Sequence, residues 1–402
     1  MIFLITIFII QGTAVFLGFL KVISKKKMTN LLRFSYAIFL LFSGFVKILD
    51  PLGFSYKLQE YFEVFNMEWL FPWTLFLSIS ICVLEIFIGF FLIYGVHLKK
   101  ILYCNLILMI GFTFLTFYSA YFDAVTDCGC FGDFMKMEPW FSFKKDVVLL
   151  IVSLLLFYYQ QHIKSFLKIE FINRSLIILF FGTLFIPVYS LSHLPFIDFR
   201  AYKIGNSIIE GRQLPENAQK DVYEDIWYYE IDGELKEFST SDEPWNIQGK
   251  DGSPAIFKDR STKLLLKGDE PPIHDFDIIN QFDNIDMTDS ILNLDKVFLM
   301  ISYDIQKTNI EAHSLITDEI LNSLVLKDIP IYGLSSSSLN EIKNSFGSSD
   351  DMLLPYEYFL MDQITLKTII RSNPGLVMLQ KGKVSEKWHW RDIPEDWSEI
   401  IN

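Results

Sequence analysis

Residues 70–96 read LFPWTLFLSISICVLEIFIGFFLIYGV, twenty-seven positions with a single Asp, Glu, Lys or Arg side chain, Glu85. About 20 consecutive apolar residues cross a hydrocarbon layer of about 30 Å, so this stretch predicts a membrane-spanning helix. Comparable runs lie near 2–20, 31–48, 101–121, 147–160 and 175–192, giving six predicted spans. The fifth is short, with Tyr158 and Tyr159 placed to sit at a membrane interface. The first has no positive residues ahead of it and no small-residue cleavage site. Its charges, Lys21, Lys25, Lys26 and Lys27, follow the apolar run, which predicts a retained anchor with its N-terminus outside.

That start makes 21–30, 97–100 and 161–174 the cytoplasmic loops, with nine Lys/Arg against the one acid Glu170. The outward loops, 49–69 and 122–146, are mainly acidic, and positive charge concentrates on the cytoplasmic side as expected. Six crossings return the chain to the outside. Beyond them the composition changes: residues 1–192 carry 15 Lys/Arg against 11 Asp/Glu, whereas 193–402 carry 20 against 37. With 51% hydrophobic residues, 39 Phe and four Cys in 402 residues, the chain is no disordered segment, collagen-like repeat or disulfide-dense scaffold. Its acidity also argues against nucleic-acid binding. The expectation is a bacterial inner-membrane protein whose acidic half lies in the periplasm.

Two cysteines fall in the second outward loop, in Asp127-Cys128-Gly129-Cys130-Phe131-Gly132-Asp133. A disulfide across one intervening residue needs a tight turn, which Gly129 permits. A bond in so small a ring is easily reduced and suited to exchange. Asp127 and Asp133, if close, would raise a thiol pKa, so the oxidised form is the expected resting state. Structural closure and metal binding with the two acids are the other readings. The metal reading is weak because no histidine is near, and no metal site is assigned. Cys82 and Cys104 lie in apolar runs and read as small buried hydrophobes.

Glu85 lies roughly 16 Å into its helix, counting about 1.5 Å per residue from Thr74. An ionisable group at that depth is either functional or a carboxyl that locks helices together. Lys47 is its partner by charge. It ends the second span near the outer surface, so pairing would require the third span to be shifted or tilted.

The run Ser43-Gly44-Phe45-Val46-Lys47-Ile48-Leu49-Asp50-Pro51-Leu52-Gly53, then Tyr56-Lys57, Glu60-Tyr61-Phe62, Glu85 with Gly89, and 127–133, resembles the DoxX and methylamine-utilisation MauE group of redox-associated membrane proteins. The resemblance covers about 31–160. It implies a four-helix core made of spans two to five, with 1–30 and 161–192 as additions. It also implies a redox context. In the exchange reading of the residues, Cys128 and Cys130 are the redox pair and Glu85 and Lys47 assist proton or quinone handling. No cofactor is fixed by the residues; a quinone is the class the resemblance admits.

In the soluble half, Trp227–Glu230, the turn Asp232-Gly233 and Leu235–Ser239 predict a hairpin within a β-rich entry segment, 193–295, with a break near Gly268–Pro272. From 296 the order is a strand at 297–303, helix 311–326, strand 329–334, helix 338–346, strand 358–361, helix 365–371, and strands 375–380 and 384–388. This α/β order over 296–402 resembles a thioredoxin-like fold. Pro374, in Asn373-Pro374-Gly375, falls where that fold carries its cis-proline. The position of the thiol motif reads Asp304-Ile305-Gln306-Lys307, with no cysteine in the entire soluble half. The groove beside Asn373, Pro374 and Gly375 is then a candidate peptide-binding site.

Two functions are compatible with these residues. One is a membrane thiol–disulfide exchanger, with its soluble domain holding a periplasmic thiol or disulfide client. The other is a non-catalytic envelope scaffold in a larger inner-membrane complex, with the Cys-Gly-Cys loop structural. In both, membrane lipid surrounds the helices.

Overall fold

The computed structural model describes residues 2–125, 129–135, 137–165, 168–214, 216–249, 252–266, 268–322, 329–346, 354–394 and 397. The first half is helical: α1 (Ile2–Phe19), α2 (Lys25–Leu49), α3 (Pro51–Val64), α4 (Thr74–Tyr94), α5 (Leu98–Phe122), α6 (Pro139–Tyr158) and α7 (Ile169–Ser192). Among the described residues, five helical stretches, one fewer than the six expected, are long and apolar enough to cross a membrane: 2–19, 25–49, 68–94, 98–122 and 170–192; the span expected at 147–160 is not among them. The chain is an integral membrane protein. Helix α6 begins eight residues earlier than the apolar run suggested. Its 20 residues give about 30 Å of length, but its first half carries Lys144, Lys145 and Asp146. Lys145 and Asp146 are buried within the bundle.

Helix α2 is the axis of the bundle, packing against α1, α3, α4, α6 and α7. Its buried face, covered by these neighbours, can carry groups that lipid would reject. Arg33 donates to the carbonyls of Ile93 and Lys164. Tyr36, Asn105 and Ser153 tie α2, α5 and α6 together by buried hydrogen bonds of 2.6–3.2 Å.

The outward loop expected at 49–69 is instead largely helix α3. The cause is legible in Asp50-Pro51-Leu52-Gly53. Asp50 Oδ1 accepts from the Gly53 amide at 3.1 Å and Pro51 takes the first helical turn, a strong N-terminal signal. Helix α3 lies along the first half of α4, with Ser78 Oγ donating to the Pro51 carbonyl and Ser55 Oγ to Thr74 Oγ1.

The soluble half contains α8 (Ile208–Gly211) and a three-stranded antiparallel sheet of β1 (Val222–Ile231), β2 (Glu234–Ser239) and β3 (Ile256–Leu266), in the order β2-β1-β3. Asp232 and Gly233, both with positive φ, close the predicted hairpin, as a two-residue turn of this kind requires. A second, six-stranded sheet follows from β4 (Ile279–Asn280), α9 (Thr288–Leu292), β5 (Val297–Ile301), α10 (Ile310–Asn322), β6 (Ile331–Ser335), α11 (Leu339–Ser345), β7 (Tyr358–Leu360), α12 (Gln363–Ile369), β8 (Gly375–Gln380) and β9 (Lys383–His389). Its order is β4-β7-β6-β5-β8-β9, with β5, β6 and β7 parallel and β8 and β9 antiparallel. All five β5 residues are buried, the mark of a central strand covered on both faces. Phe298 and Met300 pack towards Ile316 and Ile320 of α10. Val297, Leu299 and Ile301 pack towards Leu366 and Ile369 of α12. Tyr202, Ile208, Ile273, Phe276 and Ile278, from the preceding stretch, complete that second core.

The halves meet at Arg371, just beyond α12. Its guanidinium lies 2.9 Å from Asp50 Oδ2 and 3.0 Å from Asp133 Oδ2, and also donates to the Lys367 carbonyl. The guanidinium sits over the Tyr56 ring. Burial opposes its charge, but Asp50 and Asp133 outweigh that and hold the group above its ordinary pKa.

Candidate functional site

The site begins with two glycines. A side chain at Gly44 would come within 2.7 Å of Ile86 and 3.0 Å of the Cys82 carbonyl; one at Gly89 would come within 2.8 Å of Leu41. These two positions let α2 and α4 approach closely, as small residues do between membrane helices. At this crossing Lys47 Nζ meets Glu85 Oε1 at 2.6 Å, both side chains no more than 2% exposed. The obstacle to pairing read from the sequence is therefore removed by α3. Because Pro51 lies level with Ser78 and Ser55 with Thr74, the end of α2 stands at the depth of Glu85, two to three turns into α4. The aromatic faces of Phe54 and Phe112 lie 5.0 and 5.2 Å from Lys47 Nζ, a favourable setting for a desolvated ammonium.

Ser43 joins this pair to the cysteine loop. Its hydroxyl lies 3.2 Å from both Glu85 Oε2 and the Cys130 carbonyl. Next to Cys130, the fully buried Phe131 packs on Phe39 and Phe42 and anchors the loop in the bundle. Gly129 has φ +62°, and a Cβ there would lie 2.8 Å from the Lys57 stem, so both backbone and space select glycine. The Gly132 amide closes a turn on the Gly129 carbonyl at 3.0 Å, and Gly132 also has positive φ. Asp127 and Cys128 lie outside the described residues. Asp133 is engaged by Arg371, and this compensates the negative charge expected beside the thiols.

A buried cavity of about 30 Å³ is lined by Ser43, Lys47, Glu85, Cys130, Lys145 and Asp146 together with apolar side chains. Such a volume admits a water or two. Lys145 Nζ and Asp146 Oδ1 are 2.5 Å apart. Asp146 Oδ2 is buried with no hydrogen-bond partner among the described residues. The cavity thus brings two lysine–carboxylate pairs to the inner side of Cys130, an arrangement able to take up or release a proton beside sulfur chemistry.

Lys145, Asp146 and Arg371 were missed from sequence. The first two read as ordinary loop charges because the apolar run begins only at 147. Arg371 enters the sequence reading only as the last residue of the helix expected at 365–371. Of the residues expected to bind a client, Pro374 and Gly375 are buried. The Asn373–Pro374 bond is cis, and the Asn373 side chain donates to the Asp304 carbonyl and accepts from Thr308. They lie within the structure that carries Arg371 and are not part of the bundle cavity. Cys82 is fully buried at the α2–α4 crossing and Cys104 is half-buried on α5, away from any role in the loop.

No curated protein and no solved structure matches the chain. Residues 25–159, from the start of α2 through α6, match the family model of methylamine utilisation protein MauE. The matched region contains Lys47, Glu85, Cys130, Lys145 and Asp146, and ends before α7 and the soluble half.

Proposed function

We propose that the protein is a membrane-bound thiol–disulfide exchanger working at the outer face of a bacterial inner membrane. Cys128 and Cys130 form the exchanging pair. The observation that carries this reading is the shared cavity, in which Cys130 stands beside the buried Lys47–Glu85 and Lys145–Asp146 pairs. Exchange creates and consumes thiolates, and charged groups held in a low-dielectric pocket are placed to stabilise and reprotonate them. The MauE match over 25–159 and the oxidising compartment implied by the loop charges support the same reading. Where electrons pass on to a membrane acceptor, a quinone is the class consistent with the resemblance.

The soluble half is read as a thioredoxin-like domain that has lost its thiol motif. This rests on three parallel strands followed by two antiparallel ones, with helices on both faces. Its role is to receive the client. The scaffold alternative draws its support from the Arg371 contacts with Asp50 and Asp133, which also suit a fixed structural mount. Thiol trapping separates the two. Cys130→Ala should accumulate a mixed disulfide through Cys128 with a periplasmic protein, and the wild-type pair should change redox state with the cell. A pair that stays oxidised under all conditions, with no trapped partner, would establish the scaffold.

A further inference from the structure

None of the residues of the three-stranded sheet belongs to the buried clusters that pack the six-stranded one. Its order, β2-β1-β3, leaves one side of β3 without a strand among the described residues. Such an edge presents a row of unpaired N–H and C=O groups, a template for another strand. Strand β3 is 11 residues long, and every one of them is exposed. Large apolar side chains stand at both ends, Ile256 and Phe257 at the start and Leu264, Leu265 and Leu266 at the finish. Free edges are ordinarily short or carry uncompensated charge that keeps other strands away. In β3 two of the charges are already neutralised within the sheet, Lys258 by Glu230 at 2.5 Å and Arg260 by Asp225 at 2.6 Å. That leaves Asp259 and Lys263, which have no ion-pair partner among the described residues.

These two charges are placed for a strand identical to their own. Between irregularities at Lys258 and Leu265 the ladder to β1 runs regularly from Asp259 to Leu264, so Asp259, Ser261 and Lys263 share one face. When two copies of β3 lie antiparallel with Ser261 opposite Ser261, Asp259 of each copy stands opposite Lys263 of the other. The same register brings Ile256 and Phe257 to Leu266 and Leu265 of the second copy. Moving it by one residue in either direction sets Lys263 against Arg260 or Lys258, and like charges directly opposite disfavour both shifts. One strand thus supplies both halves of an isologous contact, with an ion pair on each side of the axis and apolar residues at each end. We infer that β3 is a self-association edge, at which two copies of this chain join their three-stranded sheets into one antiparallel sheet across a two-fold axis at Ser261. Main-chain pairing supplies the adhesion, as in other cases of strand addition, and the side chains set the register. The contact is independent of the thiol chemistry assigned to the loop.

The test uses the full-length protein in proteoliposomes. Ser261→Cys places a thiol at the axis, and Lys236→Cys places one on the opposite edge of the sheet, β2. A short bismaleimide is the cross-linker, and the wild type is the blank for the native cysteines. Dimer should form about tenfold faster with Ser261→Cys than with Lys236→Cys, because the paired edges hold the two axial thiols at high effective concentration. Added to Ser261→Cys, Asp259→Lys sets like charges opposite each other on both sides of the axis and should slow that reaction about tenfold. Adding Lys263→Asp as well puts opposite charges back in swapped order and should restore the rate, an outcome that damage to the fold could not produce. Equal rates at 261 and 236, a faster reaction at 236, or a rate indifferent to Asp259→Lys would overturn the β3 pairing. So would a charge-swapped variant that stays slow, or a thiol at 261 that links only to a different protein.

Discussion

The Lys47–Glu85 pair gives the sharpest prediction. The two charged groups stand 2.6 Å apart with both side chains essentially without solvent. At an effective dielectric constant near 20 the Coulomb attraction is about 6 kcal/mol, and desolvating the two ions returns most of it. Removing one partner leaves the other charge uncompensated, so Lys47→Met or Glu85→Gln alone should destabilise the bundle by about 3–5 kcal/mol. The double variant, two neutral side chains of similar shape, should lose only about 1–2 kcal/mol, for a coupling energy of at least about 3 kcal/mol. Unfolding in mixed micelles by sodium dodecyl sulfate, read by tryptophan fluorescence, measures all four proteins. A coupling below about 0.5 kcal/mol would refute the buried contact. The double variant also separates structure from chemistry. If it recovers stability and still exchanges thiols at the wild-type rate, the pair only locks α2 to α4. A stable but slow double variant assigns it to proton handling.

Three further outcomes follow from the geometry. Gly129→Ala should loosen the loop, because a left-handed backbone costs a side-chain-bearing residue about 1–2 kcal/mol and the new Cβ meets Lys57; faster deuterium uptake at 129–135 is the readout, and unchanged uptake would count against the described turn. Arg371→Ala should weaken docking of the soluble half by about 2–3 kcal/mol, discounted from a fully buried pair because Asp50 and Asp133 are 21% and 28% exposed. Hydrogen exchange in α3 should rise, and Arg371→Lys should restore little, since an ammonium cannot reproduce the planar two-sided contact. His313 is buried, lies 2.8 Å from the Tyr358 hydroxyl and 3.0 Å from that of Tyr356, and burial lowers its pKa to about 4. Its folded value is below the ordinary 6.5, so stability is fully present above pH 6.5 and falls as the pH drops towards 4, by about 3 kcal/mol. His313→Gln should flatten that acid limb in denaturant titrations; an unchanged limb would place the loss elsewhere.

The strand and helix order from 297 onward was legible because each element carries its own signals. Ser338 caps α11 through a reciprocal contact with Glu341, Asp362 caps α12, and β5 is an unbroken apolar run. The helices of the first half were legible from length and apolarity. The errors occurred where polar residues are buried by neighbours. The start of α6 is hidden in the sequence because Lys144, Lys145 and Asp146 look like solvent-facing charges until α2 and the loop are placed around them. Helix α3 is hard to tell from a loop because its 14 residues mix polar and apolar side chains, although Asp50-Pro51 carries a helix-start signal. The Lys47–Glu85 contact depended on that same helix and could not be recovered without it. The Arg371 contacts join positions 321 and 238 residues apart, a separation that no local pattern encodes.

Those contacts also make docking of the two halves a unimolecular event. The soluble half is tethered directly to α7, and a short tether gives an effective concentration on the order of millimolar. An interface with an intrinsic dissociation constant of ~0.1 mM would then be closed about ten times as often as open. At that balance, a change of about 1.4 kcal/mol brings the open and closed forms to equal populations. Asp133 belongs to the cysteine loop and also helps hold Arg371, so a shift in the loop's charge or shape would act directly on this equilibrium. Exposure of the loop's Asp133 side is thereby tied to a modest change in population, without any large rearrangement of the bundle.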